Sequence, residues 1–248
     1  MTKASFILDA ILQTCHQVPV GSSGMVCYFV EQVRSQGNDM ALIFRPELAD
    51  EQGLVAVGGD LRPTTLLRAY RNGIFPWFNE GDPLLWWSPD PRAIFEIDRF
   101  YLSSRLQRTI RAGKFRVTIN NAFGEVMRGC ADREQTWITA DMIDAYTRLH
   151  QLGHAHSIEA WQGDELAGGV YGIALGGFFA GESMFHRVRD ASKVALTYLV
   201  EYLNIRGFVL FDTQVLTEHT ARLGAMQIPR AEYLARLKNA LEMPVSFV

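Results

Sequence analysis

The chain has 248 residues, of which 48% are hydrophobic and 21% charged, and its formal net charge is −3. This is the composition of a globular protein with one large or two smaller domains, and it excludes a disordered chain or a uniformly basic nucleic-acid-binding protein. Three widely spaced cysteines, Cys15, Cys27 and Cys130, argue against a disulfide framework or a cysteine-based zinc site. With no apolar run long enough to span a bilayer, we expect a soluble, cytoplasmic protein.

The first 98 residues divide into two parts. Residues 1–40 carry no chemical motif, and we treat them as a leader of unknown role. Residues 41–98 are punctuated by proline and glycine, and Pro63 is expected to open a short helix that ends at Asn72 before Gly73. Three of the five tryptophans follow within eleven residues: Trp77, Trp86 and Trp87. We assign residues 41–98 to a small N-terminal α/β domain with a rigid aromatic loop.

A basic stretch follows, on a predicted helix from Ser103 to Gly113 and a predicted strand from Phe115 to Ile119. It carries five positive charges within twelve residues and no acid between them. The solvated face of an amphipathic helix is the commoner explanation of such a pattern, but the stretch is also the best candidate here for contacts with nucleic-acid phosphates. Its cationic residues are Arg105, Arg108, Arg111, Lys114 and Arg116.

The remaining pattern predicts an α/β (α+β) domain, residues 99–248, with an acetyltransferase-like (GNAT-like) order of elements. Two helices, Ala122–Cys130 and Ala140–Leu152, precede an antiparallel meander of three strands, and Thr139 is expected to cap the second helix. A long helix ended by Gly207, a buried strand and two short helices complete the domain. The predicted bounds of these elements are, in order, His156–Trp161, Glu165–Ala174, Phe178–His186, Ala191–Asn204, Phe208–Asp212, Glu218–Leu223 and Arg230–Leu241.

Glu182 lies in the middle of an apolar strand. Strict alternation places it on one face with Phe178, Ala180 and Met184. Because an unpaired buried charge is costly, this carboxylate must be exposed, paired or functional. Asp212 and Gln214, at the end of the following strand, are predicted to point to one side, so the three form either a functional polar cluster or a strand-end hydrogen-bond network.

Several common chemistries are disfavoured by the sequence. His150, His154 and His156 are near one another, but Gly153 interrupts their helical spacing, and we assign them structural roles. Ser183 lacks the second glycine of a nucleophile elbow. The junction from His186 to Lys193 contains no glycine, whereas an acetyltransferase needs a glycine-rich turn there for the coenzyme A pyrophosphate. The fold could therefore be kept while the coenzyme A site is absent, which would leave a transferase-like scaffold that needs another acyl donor.

From about Gly53 to Tyr233 the chain resembles the bacterial leucyl/phenylalanyl-tRNA-protein transferases. The resemblance rests on the order and spacing of several strings, including Gly73-Ile74-Phe75-Pro76-Trp77-Phe78, Leu85-Trp86-Trp87-Ser88-Pro89-Asp90-Pro91-Arg92, Thr136-Trp137-Ile138-Thr139 and Gly181-Glu182-Ser183-Met184-Phe185. It implies transfer of Leu or Phe, and less well Met, from aminoacyl-tRNA to the N-terminal Arg or Lys of acceptor proteins, which marks them for N-end-rule degradation. It also implies no metal and no cofactor.

The same resemblance implies roles for individual residues. Trp77 and Trp137 would stack on the terminal adenosine of the tRNA, and Glu182 would bind the cationic acceptor N-terminus. Asp212 with Gln214 would orient or activate the α-amine, while the basic residues from Arg105 to Arg116 would contact the tRNA backbone. The aminoacyl side chain would enter an apolar pocket formed by Val170, Tyr171, Leu196, Leu199 and Phe211.

The implied partners are leucyl-tRNA, phenylalanyl-tRNA and acceptor proteins with N-terminal Arg or Lys, without a membrane, and the protein is expected to be a monomer. Two other functions stay open from the residues alone. One is a coenzyme A acyltransferase, which the missing glycine turn disfavours. The other is a non-catalytic tRNA-binding protein.

Overall fold

The computed structural model describes residues 44–134 and 136–248, so the predicted leader, residues 1–40, lies outside the described residues. In chain order the elements are β1 (Leu54–Val57), α1 (Pro63–Arg71), β2 (Phe75–Pro76), β3 (Leu85–Trp87), β4 (Arg92–Phe95), α2 (Ser104–Arg111), β5 (Arg116–Ile119), α3 (Phe123–Ala131), α4 (Ala140–Gln151), β6 (Ala155–Gln162), β7 (Glu165–Leu175), β8 (Phe178–His186), α5 (Ala191–Arg206), β9 (Leu210–Gln214), α6 (Glu218–Arg222), β10 (Met226–Ile228) and α7 (Arg230–Leu241).

The strands form two sheets within a mixed α+β architecture. The smaller sheet has the order β1-β3-β2, and the larger has the order β10-β4-β9-β8-β7-β6-β5. The predicted antiparallel meander is confirmed as β6, β7 and β8. β8 and β9 are parallel, while every other pair of neighbours described in the larger sheet is antiparallel. Helix α5 makes the crossover that a parallel pair requires.

The main core lies between the larger sheet and α5. The apolar side of this helix packs against residues from β7, β8 and β9, among them Val170, Phe179 and Phe211. The helix ends at Gly207, whose φ of 84° is a left-handed conformation that suits a residue without a Cβ atom. The sequence predicted this end, because Gly207 follows directly after the apolar run. None of the helices in the described ranges is long and apolar enough to cross a membrane.

Most predicted helices and strands are confirmed to within two residues. Thr139 caps α4, since its hydroxyl accepts a hydrogen bond from the Met142 amide at 3.3 Å. β9 is shifted by two residues at both ends, because it runs from Leu210 to Gln214 where Phe208 to Asp212 was predicted. The Phe208 amide still donates to the Leu203 carbonyl of α5, which delays the start of the strand. Asp212 therefore lies inside the strand, and Gln214 ends it.

β4 lies inside the larger sheet, between β10 and β9. Its register places Ile94 opposite Asp212 and Phe95 opposite Phe211. The predicted domain boundary near residue 98 groups β4 with the smaller domain, whereas the change from one sheet to the other occurs between Trp87 and Arg92. Division of the chain at residue 98 thus stays a prediction. The described residues all lie in one compact unit, Leu42–Val248.

Candidate active site

The candidate site lies where the two parallel strands of the larger sheet part. Pairing between β8 and β9 ends at Ala180 and Asp212. Beyond that point a cavity of about 690 Å³ opens, lined by residues 181–187 of the β8 side and by Phe211, Thr213 and Val215 of the β9 side. Ligands in α/β folds commonly bind at such a break in the sheet. The sheet topology therefore sets the position of the cavity, and side chains complete its walls.

Both strands contain an extra residue at this point. Tyr171 of β7 pairs with Ser183 and Gly172 pairs with Gly181, which leaves Glu182 as a bulge in β8. Likewise, Ala93 and Ile94 of β4 pair with Gln214 and Asp212, which leaves Thr213 as a bulge in β9. Bulges re-aim side chains and are frequent beside active sites.

The bulge at Glu182 breaks the side-chain alternation that was predicted along β8. Phe179, before it, belongs to the core beneath α5, and Met184, after it, packs against that same core. The faces are thus exchanged at Glu182, and Phe178, Ala180, Glu182 and Met184 do not share one face as strict alternation predicted. A single inserted residue moves every later side chain to the other side of a strand.

Glu182 is buried, with 8% of its surface exposed, and its carboxylate has two hydrogen-bond donors. The Gln214 Nε2 atom donates to Oε1 at 3.0 Å, and the Tyr146 hydroxyl donates to Oε2 at 3.3 Å. Burial raises the pKa of Glu182 to about 7, even though these hydrogen bonds oppose the shift. Near neutral pH this carboxyl group can therefore either hold or release a proton.

Two tyrosines join Glu182 to helices α1 and α4. The hydroxyl groups of Tyr70 and Tyr146 are hydrogen-bonded to each other, and both side chains are fully buried. Burial raises the pKa of each hydroxyl well above its ordinary value of 10, so both stay neutral donors. The sequence analysis missed this pair, because nothing in the spacing of α1 and α4 indicates that their tyrosines meet.

Asp212 is completely buried and its carboxylate accepts four hydrogen bonds. Two come from Arg92, at 2.9 Å from Nε and 2.7 Å from Nη2. The other two come from the Tyr233 hydroxyl at 2.9 Å and the Gln214 amide at 2.7 Å. Two donors on each oxygen fill the hydrogen-bonding capacity of a carboxylate. Asp212 is thus a fixed anchor that holds the backbone of Gln214, whose side chain contacts Glu182.

Arg92 is the clearest residue that the sequence analysis overlooked. It is 1% exposed, it donates to the Gly73 carbonyl at 3.0 Å, and its guanidinium lies over the rings of Phe75 and Tyr233. Its position in the otherwise apolar strand β4 was a usable signal, since a buried arginine requires an acidic partner. The pair joins β4 to β9 beside the cavity.

The predicted aminoacyl pocket is brought together in part. Val170, Leu196 and Phe211 line the cavity. Leu199, on α5, belongs to the hydrophobic core and is not among the residues that line the cavity. Tyr171 contacts the rings of Phe123 and Tyr146, because successive residues of β7 point to opposite faces. Within the described residues Phe95 and Met184 are further apolar members of the wall.

The two tryptophans predicted to hold an adenosine occupy different settings. Trp137, between α3 and α4, is half-buried and lines the cavity. Trp77 follows β2, is half-buried and meets the Trp87 ring edge-on at 6.4 Å between centroids. No ring contact joins Trp77 to Trp137 among residues 44–134 and 136–248.

The predicted basic residues also divide into groups. Arg108, Arg111 and Lys114 are exposed on α2 and the turn after it, and Arg116 lies over the Trp161 ring. Arg105 points to Asp190, with 3.3 Å between Nη2 and the carboxylate.

Two of the three histidines that were assigned structural roles, His150 and His156, have structural partners. His150 stacks on Phe123, and its Nδ1 lies 2.8 Å from the Ala155 carbonyl oxygen. His156 stacks on Phe247 and lies between Asn120 and the Gly153 carbonyl, and burial lowers its pKa to about 4. The part of the chain that the structure describes holds no group of three or more potential metal ligands.

Comparison with known proteins identifies relatives over most of the chain. The family model described as leucyl/phenylalanyl-tRNA protein transferase matches residues 94–238, and that of its N-terminal domain matches residues 59–90. The leucyl/phenylalanyl-tRNA–protein transferase of Anaeromyxobacter sp. (strain Fw109-5) is 57% identical over 204 residues, which cover 80% of this chain and 87% of the relative.

Two further relatives carry the same name. That of Enterobacter sp. (strain 638) is 56% identical, with 77% of this chain and 83% of the relative covered. That of Nitratidesulfovibrio vulgaris (strain DP4) is 51% identical, with 83% and 91% covered. This chain therefore belongs to the leucyl/phenylalanyl-tRNA–protein transferase family.

Proposed function

We propose that this protein transfers Leu or Phe, and less well Met, from aminoacyl-tRNA to the N-terminal Arg or Lys of acceptor proteins, marking them for N-end-rule degradation. The observation that supports this most directly is the buried Glu182 carboxyl, with its pKa near 7, in a cavity whose wall also has an apolar part formed by Val170, Leu196 and Phe211. A cationic acceptor and an apolar acyl group need these two surfaces side by side. The acetyltransferase-like arrangement of the C-terminal domain belongs to the same proposal.

The aminoacyl side chain enters the apolar part of the cavity. Val170, Leu196 and Phe211 provide the wall, and Met184 adds a flexible surface that adapts to different shapes. Apolar fit separates side chains that differ by one methylene by only about 1–3 kcal/mol. Leu, Phe and Met are accordingly all accepted.

Glu182 attracts the acceptor and receives its proton. The neutral α-amine attacks the ester carbonyl carbon, a C–N bond forms, and the proton released from nitrogen passes to the Glu182 carboxylate. When the tetrahedral intermediate collapses, the C–O bond of the ester breaks, and the same proton returns to the departing ribose oxygen. The ester is already activated. Positioning of the substrates and the relay of one proton through Glu182 therefore suffice, with no cofactor and no metal in the scheme.

Asp212 acts through Gln214. Its carboxylate is saturated by Arg92, Tyr233 and the Gln214 amide. It therefore fixes the end of β9, and the Gln214 side chain then holds Glu182 in position and orients the incoming amine. In this scheme Asp212 is a positioning residue, and Arg92 keeps it in place.

The donor is held mainly by its nucleic-acid part. Trp137 and Trp77 grip the terminal adenosine by stacking, as unpaired bases are commonly held. Arg105, Arg108, Arg111, Lys114 and Arg116 contact the tRNA backbone without reading its sequence. The protein acts in the cytoplasm, where aminoacyl-tRNA is made, as a monomer and without a membrane partner.

The proposal is tested by transfer from charged tRNA. Radiolabelled Phe-tRNA or Leu-tRNA is mixed at low salt with peptides that differ only in an N-terminal Arg, Lys, Gln or Glu. We expect labelled Arg and Lys peptides, and little label on the other two. Efficient hydrolysis of the charged tRNA without peptide labelling, or equal labelling of all four peptides, would contradict the proposal.

A further inference from the structure

A second cavity, of about 290 Å³, adjoins the first at the start of α5. The two share His186, Ser192 and His219 among their lining residues. The second cavity is further lined by Arg105, Arg189 and Lys193. It lies at the β8–α5 junction, the segment from His186 to Lys193 that contains no glycine. We call it the junction cavity.

Positive charge exceeds negative charge in the lining of the junction cavity, where Arg105, Arg189 and Lys193 stand against one carboxylate, Asp190. Among residues 44–134 and 136–248, no carboxylate lies within 4.0 Å of the charged groups of Arg189 or Lys193, whereas Arg105 is paired with Asp190 at 3.3 Å. Burial lowers the pKa of His219, and the nearby charges of Lys193 and His186 lower it further. Cations that repel one another around a concave surface favour an anion between them.

The backbone adds to this preference. Asp190 is the residue before α5, but its carboxylate points to Arg105 and forms no cap on the helix. The first turn of a 16-residue helix thus begins at the cavity without a capping side chain. The Ala191 amide donates to the Val188 carbonyl at 3.1 Å, and the later amides of the first turn and the helix dipole attract negative charge. Ser192, which is 4% exposed, places its hydroxyl-bearing side chain in the same wall.

We propose that the junction cavity binds the phosphodiester that precedes the terminal adenosine of the acyl donor. This inference rests on the proposed function, in which the donor is the polyanionic substrate and the acceptor N-terminus is cationic. Positive charge around the junction cavity repels the acceptor, so it serves the donor. Because the two cavities share part of their lining, one substrate can occupy both, with its acyl group in the first cavity and its phosphate in the second.

The assignment separates two kinds of contact with the tRNA. The exposed arginines of α2 meet the backbone of the folded tRNA body, while Arg189 and Lys193 hold one phosphate beside the reacting ester. The second contact orients the ester carbonyl toward Glu182, because the terminal nucleotide is then fixed at its phosphate as well as at its base. Arg189 and Lys193 thereby become determinants of donor binding that the sequence analysis did not predict.

Two minimal donors test the proposal. Phenylalanyl-adenosine has no phosphodiester, and phenylalanyl-cytidylyl-adenosine has one, so the ratio of their kcat/KM values with an Arg-starting peptide measures the use of that phosphate. We expect the unchanged protein to prefer the second donor. The double variant Arg189→Gln/Lys193→Gln should reduce the ratio about tenfold, the order expected when charge-assisted hydrogen bonds are lost.

Two controls accompany this measurement. Lys238→Gln removes an exposed positive charge on α7, away from both cavities, and should leave the ratio as it is. Lys193→Arg keeps the charge and should retain most of the preference. Thermal unfolding of each variant checks that the fold is intact.

Three outcomes would overturn the proposal while leaving the proposed function standing. The first is an unchanged protein with no preference for the phosphodiester donor. The second is a double variant with the original ratio and full activity, and the third is a double variant that keeps the original ratio because its activity falls equally with both donors. If the unchanged protein transfers Phe from neither donor nor from charged tRNA, the proposed function itself fails, and the phosphate assignment fails with it.

Discussion

Glu182 is the bulge residue of β8, and its carboxyl group accepts hydrogen bonds from Gln214 and Tyr146. In this environment the charge of the carboxyl group depends on pH. A carboxyl group whose pKa is near 7 changes its charge in the range in which an acceptor α-amine, with an ordinary pKa of about 7.7–8.0, also loses its proton. Both groups have to be deprotonated for attack. The pH dependence of transfer therefore reports on both.

We expect Glu182→Gln to lower the transfer rate by about 10²–10⁴-fold, the usual contribution of a general base. In the unchanged protein the rate should rise with pH through the titration of two groups. In the variant the rise should follow the acceptor amine alone. The measurement is the initial rate of peptide labelling between pH 5.5 and 9.

Stability supplies an independent check. Glu182 takes up its proton near pH 7 when folded and near its ordinary value of 4.5 when unfolded, so the folded state holds more protons between these values. The free energy of unfolding should therefore fall as pH rises from 4.5 to 7, and Glu182→Gln should remove this part of the decline. Glu242→Gln, at an exposed position, serves as the control. An unchanged decline in the Glu182 variant would contradict the assigned environment.

Sequence reasoning reached Glu182, Asp212 and Gln214 at the residue scale but did not find Arg92, Tyr70 or Tyr146. The three predicted residues carried a signal, because polar groups in apolar strands require an explanation. Arg92 is likewise a charged residue in an apolar strand, but no role was predicted for it. The tyrosines carried none, since a tyrosine in an amphipathic helix is ordinary until its hydroxyl is seen to meet another buried group 76 residues away.

At the scale of elements, helix and strand limits were readable because local chemistry sets them. Pro63 opens α1, Thr139 caps α4, and Gly207 ends α5. The bulges at Glu182 and Thr213 could not be predicted from the sequence. A bulge depends on the register of the neighbouring strand, and a prediction based on period-2 alternation assumes a strand without a bulge.

Helix α3 offers a matched pair of glycines with opposite expectations. A Cβ atom at Gly129 would lie 2.6–2.8 Å from the ring of Phe185, which packs against the helix from β8. At Gly124 the nearest atom is the flexible end of Arg128, at 3.4 Å. Gly129→Ala should lower the free energy of unfolding by about 1–3 kcal/mol through overpacking.

Gly124→Ala, by contrast, should raise the free energy of unfolding by up to about 1 kcal/mol, because alanine is the better helix former. Urea unfolding of both variants provides the measurement. An increase in both variants would show that helix propensity, and not the contact between residue 129 and Phe185, decides the effect at Gly129.

At the scale of the whole molecule, the net charge is −3, yet positive charges are concentrated locally. The average charge excluded a uniformly basic protein, but phosphate binding depends on where the charges lie. Arg108, Arg111 and Lys114 are exposed on and just after α2, and the junction cavity lies at the start of the neighbouring helix α5. Arg105, at the beginning of α2, lines that cavity.

The salt dependence of tRNA binding should show whether these exposed positive charges contact tRNA phosphates. The logarithm of the tRNA association constant is expected to fall linearly with the logarithm of salt concentration. Arg108→Gln/Arg111→Gln should make the slope shallower by about 0.7–0.9 for each phosphate contact removed. Fluorescence titration of labelled tRNA between about 50 and 200 mM salt measures it. Identical slopes for this variant, Lys238→Gln and the unchanged protein would exclude α2 from tRNA binding.

The sequence by itself determined the elements, their order, the polar residues of the site and, through its strings of family residues, the class of reaction. These features follow from local rules, namely caps, periodicity and the cost of burying a charge. Tertiary structure decided which side chains meet, because contacts across a sheet depend on register and on where two strands part. The divergence of β8 from β9, the bulge at Glu182, the saturation of Asp212 by Arg92 and the junction cavity all arise from such long-range geometry.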